Sequence, residues 1–126
     1  MSRLPKQPSP PDARALRRAC GVELAAAGRA RAAGDIAGAW RHLERAHILS
    51  QPLALAHLRT HASMLAHAAR RRDRREMVGQ VGRLLVAGPG SLAGRYPLGN
   101  TGGADVSAFA PMPIPDDLQD LLHSSS

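Results

Sequence analysis

Two short interruptions decide most of what this chain can fold into. Gly34-Asp35 and Ser50-Gln51-Pro52 break a helical pattern that otherwise runs from Asp12 to about Ala87. Gly suits the left-handed position just past a helix end, and Asp suits the N-cap of the helix that follows. Pro52 fits a first helical turn, where its missing N–H costs nothing. Asp73 supplies a third break, with Glu76 three residues on in capping-box spacing. The spacing therefore predicts four helices, over about 12–33, 36–49, 52–71 and 73–87. Joins this short force neighbouring helices into antiparallel pairs.

Apolar residues recur at steps of three and four in each segment. The first stripe is Leu16, Ala19, Cys20, Glu23, Ala27 and Ala30, with a carboxylate lying inside it. The second is Ile36, Ala39, Trp40, Leu43, Ala46 and His47. The third is Leu53, His57, His61, Met64, Leu65 and Ala68. The fourth is Met77, Val78, Val81, Leu84 and Leu85, and Gly88-Pro89-Gly90 is expected to end it. Aromatic residues make up only 2% of the chain, so the core must come from Leu, Ala, Val, Ile and Met, and Trp40 is expected to belong to it.

The chain repeats itself when Asp35 is slid onto Asp73. At that shift Leu43 falls on Val81, Ala46-His47 on Leu84-Leu85, and Glu23 on His61. The first unit, ARAAGDIAGAWRHLERAHILSQP, resembles a tetratricopeptide repeat. Its Gly-Asp turn, its small residues Ala39 and Ala46 and its closing Pro52 carry that resemblance, and the second unit departs from it at Arg72-Asp73. The resemblance implies stacked helix–turn–helix units over roughly residues 15–87, with a groove that could take a peptide.

Residues 1–11, rich in proline, are expected to be disordered, and 12–90 to form the four-helix domain. Residues 91–126 are dense in Gly and Pro, yet Tyr96, Leu98, Val106, Phe109, Met112 and Ile114 are spaced like anchors. They are expected to wrap back over the helices as part of the same domain, ending in a short helix capped by Asp116 or Asp117. The runs GNTGGADVSAFAPMPIPDDL and WRHLERAHILSQP, with the Arg-Arg-Asp-Arg-Arg-Glu turn, resemble a family of small bacterial proteins known only as a domain of unknown function. That resemblance covers most of the chain and brings no activity with it. The fold expected is all-α, two tetratricopeptide-like units plus an ordered irregular C-terminal wrap.

The candidate chemistry lies in the histidines. His57 and His61 are four apart, so they stack on one helical face at a spacing that suits two ligands of one metal. His47 lies on the facing stripe near the helix end, beside Glu44 in a Glu-x-x-His pair. Antiparallel pairing brings His47, His57 and His61 to one level. Glu44, or Glu23 on the first helix, would complete the shell. Neutral imidazole and carboxylate suit Zn, Fe, Cu or Ni. His67, near the end of the third helix, reads as a structural cation facing the helix dipole. His42 lies further off, and His123 reads as solvated.

Two functions fit. One is a small intracellular metal-binding protein that handles a metal or uses it on a small substrate. The other is a tetratricopeptide-like protein–protein interaction module without chemistry. A two-fold axis would double the ligands, so a homodimer fits either. The net charge of +7 lacks the interleaved aromatic residues that stack on bases, which argues against nucleic acid. A single cysteine, Cys20, on an apolar face allows no intrachain disulfide and points to an inert thiol in a reducing compartment. No apolar run reaches the length of a signal peptide or membrane span, so the expected location is the cytoplasm.

Overall fold

The computed structural model of the chain describes residues 12–92, 100, 102–103 and 111–123. The expected N-terminal disorder and the anchors Tyr96, Leu98, Val106 and Phe109 lie outside these residues. The fold is all-α, with helices α1 (Ala13–Ala32), α2 (Ile36–Ser50), α3 (Ala54–Arg70), α4 (Arg74–Leu92) and α5 (Asp116–Leu122). No described helix is long and apolar enough to cross a membrane. α1 packs chiefly on α2, and α3 on α4; α2 and α3 join the two hairpins.

The two hairpin turns are copies of each other. Gly34 has φ +81°, and its N–H donates to the Arg31 carbonyl at 3.0 Å, while the Asp35 N–H reaches Ala30 at 2.9 Å. This is the double hydrogen bond that closes a helix on a left-handed residue. At the equivalent turn of the second unit, Arg72 has φ +57°, its N–H donates to Ala69 at 3.1 Å, and the Asp73 N–H reaches Ala68 at 2.9 Å. Then Asp35 Oδ1 accepts from the Gly38 N–H at 2.9 Å, as Asp73 Oδ1 accepts from the Glu76 N–H at 3.0 Å. Turn geometry prevails over residue type here, because Arg72 takes a conformation that costs a side-chain-bearing residue about 1–2 kcal/mol.

Three boundary expectations are corrected. α4 continues through Gly88-Pro89-Gly90 to Leu92; the φ of proline is near-helical, so a helix can carry it, at the loss of one hydrogen bond and a clash with the turn before it. Glu76 does not close a capping box onto Asp73, whose N–H is taken by Ala68; its carboxylate accepts from Gln80 instead. The N-cap of α5 is Pro115, which gives no side-chain cap, and Asp117 in the first turn pairs with Arg45.

The core falls into two clusters. Leu16, Cys20, Ala46, Ile48 and Leu49 meet Leu118 and Leu122 of α5, with Ile114 alongside, so α5 completes the apolar face of the first hairpin. Ala27, Leu43 and Met64 form the second cluster, with Trp40 only partly buried at its edge. The Cys20 thiol donates to the Ala46 carbonyl at 3.6 Å, and burial pushes its pKa up, as expected of an inert structural thiol.

Candidate metal centre

Three of the five proposed ligands come together. His47 near the end of α2 and His57 and His61 on α3 are buried, with their Nε2 atoms at the corners of a triangle. The sides are 3.0 Å for His47–His57 and 3.1 Å for both His47–His61 and His57–His61. The i, i+4 spacing on α3 makes one side, and the antiparallel join at Ser50-Gln51-Pro52 makes the other two.

The outer nitrogens settle the chemistry of the inner ones. His47 Nδ1 lies 2.6 Å from the Asn100 carbonyl oxygen, which can only accept, so Nδ1 carries the proton. His61 Nδ1 lies 2.5 Å from Gln80 Oε1. Gln80 donates its amide N–H groups to Glu76 Oε1 and to the Gly102 carbonyl, both at 2.7 Å, which orients its oxygen toward His61. His61 Nδ1 is therefore also a donor. In the neutral rings Nε2 is then a bare lone pair, and two such lone pairs face each other across 3.1 Å. Burial pushes His47 well below the ordinary imidazole value of 6.5, and the neighbouring His61 and His57 push the same way, against the Asn100 hydrogen bond. Burial lowers His61 too, against the hydrogen bond to Gln80.

The lid over this triangle comes from far along the chain. Gly102 has φ +84° and sits so close to the His47 ring that a Cβ there would lie 2.6 Å from it. Asn100 Oδ1 accepts from the Gly102 N–H at 2.9 Å and ties the turn shut. The positive φ, which glycine adopts without steric cost, is what a residue in this close contact needs.

Neither carboxylate joins the group. Glu23 turns to its own hairpin partner: Oε2 meets His42 Nδ1 at 2.7 Å and Oε1 accepts from Arg45 Nε at 2.9 Å. Glu44 is half-buried, and the buried Leu43 beside it takes the inward direction. His67 does not serve as a solvated cation at the helix end. It is buried against Trp40, with ring centroids 5.6 Å apart, and burial followed by Arg31, Arg71 and Arg70 holds it below the ordinary imidazole value.

Sequence reasoning missed Gln80, Asn100 and Gly102. The repeat held a signal for Gln80, which is the repeat equivalent of His42 just as His61 is that of Glu23. The bonded pair Glu23–His42 in the first hairpin is therefore His61–Gln80 in the second. Asn100 and Gly102 belong to a segment with no periodicity to place them.

The chain belongs to the family of proteins of unknown function DUF3703, whose model matches residues 14–122. No curated protein matches it, and no solved structure does.

Proposed function

We propose that this protein binds one transition-metal ion on His47, His57 and His61. The observation that carries the reading is the pair of deprotonated nitrogens, His47 Nε2 and His61 Nε2, held face to face in a buried site. Two facing lone pairs repel; an Nε2–H on His57, 3.0 Å from one and 3.1 Å from the other, would have to be shared between them, whereas a metal cation satisfies all three nitrogens at once, and burial disfavours an extra proton in that place. His47, His57 and His61 would hold the ion through their three Nε2 atoms, and a set of three protein ligands would leave it positions open to a further ligand. The second ring nitrogens of His47 and His61 are hydrogen-bonded to oxygens, the usual outer shell of a ligating imidazole. An all-nitrogen neutral set suits Zn(II), Cu, Ni(II) or Fe(II). The role is metal handling, or metal-dependent chemistry at the open positions.

Elemental analysis of protein purified without a histidine tag tests the reading. One metal per chain is expected, lost in His57→Ala with His61→Ala. No stoichiometric metal, or metal retained by that double variant, overturns it.

A second reading has an observation of its own. Val78 and Val81 on α4 are 74% and 50% exposed, whereas Trp40 and Leu43, their counterparts in the first unit, pack against the core that includes Met64 of α3. An uncovered repeat end favours an interaction module that docks a protein or a second copy. A metal-free chain that binds through this face, and loses that binding in Val78→Glu, would favour the second reading over the first.

A further inference from the structure

A separate cavity of about 260 Å³ lies where α3 ends and α4 begins, with Trp40 of α2 on its wall. Three features of it point to a ligand. His67 on the cavity wall is 2% exposed, and neither ring nitrogen has a hydrogen-bond partner among the described residues. A buried imidazole carries one donor and one acceptor, and a buried polar group is normally satisfied.

The second feature is charge. Asp73 and Glu76 line the cavity but are engaged, Asp73 with the Glu76 N–H and Glu76 with the Gln80 amide. Arg71 and Arg75 also line it, and neither enters an ion pair among the described residues. Both carboxylates keep their charge and balance the two guanidinium groups, but their acceptor oxygens are already in use, whereas the guanidinium N–H groups are donors without an ion-pair partner among the described residues and match an oxyanion. The third feature is Trp40, whose ring stands tilted 33° to His67 and offers a flat apolar wall.

We propose that this cavity binds a small organic oxyanion, a carboxylate or phosphate monoester with a flat apolar body. Arg71 and Arg75 take the acid group, Trp40 takes the body, and the His67 ring N–H donates to an oxygen. This site is independent of the metal reading, since it shares none of the three metal ligands.

Trp40 is the only tryptophan of the chain, so its fluorescence reads the cavity directly. The full chain is titrated with benzoate and with phenyl phosphate at constant ionic strength, with chloride as the control and calorimetry for stoichiometry. A saturable one-to-one response to at least one probe is expected, and the probe preferred identifies the acid group. Arg71 and Arg75 are exposed, so Arg71→Gln with Arg75→Gln should stay folded by circular dichroism and bind at least tenfold more weakly. His67→Phe keeps a buried ring without nitrogens and should bind several-fold more weakly. No saturable response to either probe, an equal response to chloride, or full binding by the double arginine variant overturns the site; full binding by His67→Phe overturns the role given to His67.

Discussion

The two hairpins place a bonded polar pair at the same repeat positions, yet they use it for opposite ends. In the first, Glu23 on α1 meets His42 on α2, and the same carboxylate takes Arg45, which in turn holds Asp117 of α5. In the second, His61 on α3 meets Gln80 on α4, and the amide goes on to Glu76 and Gly102. The first pair lies in a half-exposed network centred on the Glu23 carboxylate. An amide brings an acceptor without charge, so the imidazole stays neutral, buried and ready to donate a lone pair inward. Two exchanges, Glu23 to His61 and His42 to Gln80, move the histidine to the other helix of the pair and change its partner from acid to amide, and so separate a surface brace from a candidate metal ligand.

Replacing ligands should break the contrast most severely. His57→Ala with His61→Ala removes bound metal altogether, while His42→Ala leaves one metal per chain by elemental analysis. Acid comes next. The folded-state values of His47, His61 and His67 lie below the ordinary 6.5. The unfolded chain therefore takes up protons first as pH falls. Stability of the metal-free protein should be full above pH 6.5 and then decline, by about 1.4 kcal/mol per pH unit for each ring that stays neutral while folded. Denaturant melts between pH 7.5 and 5 check this, and a flat profile would refute it. Gly102→Ala forces a side chain into positive φ against the His47 ring and should cost about 1–3 kcal/mol in thermal unfolding, with weaker metal binding. Gln80→Leu should weaken metal affinity about 10–100-fold, whereas Glu23→Gln should leave that affinity unchanged in a competitive chelator titration. Arg72→Gly relieves the left-handed strain that Gly34 avoids and should raise stability by roughly 0.5–1 kcal/mol, read as a higher midpoint in urea.

The helices were legible because their signals are local. Gly34-Asp35 and Asp73 each act on backbone geometry within a few residues, and the stripes through Leu16, Leu43 and Met64 follow from period alone; Pro52 marks the join but not the first helical turn, since α3 starts at Ala54 with Leu53 as its N-cap. The histidine triangle was legible for the same reason: His57 and His61 are one turn apart, and a three-residue join fixes His47 opposite them. The carboxylates were misplaced because a stripe gives a face and not a side-chain direction. Glu23 lies on the inner edge of α1, but Arg45 and His42 are nearer than the triangle. His67 was misread because its position near a helix end suggested the dipole, while its steps from Thr60 and Met64 put it on the buried side. The lid was hidden, since nothing local to Asn100 or Gly102 marks their distant partner.

That lid has a consequence for the free chain. The contact from His47 to Asn100 spans 53 residues, and closing a loop of that length costs on the order of 3–4 kcal/mol of chain entropy. The three imidazoles are held at one point only in the folded chain, so the ion would bind the closed form more tightly than the unfolded one and stabilise it by mass action as free metal rises. The closed fraction of the protein would then act as a gauge of how much metal its surroundings supply.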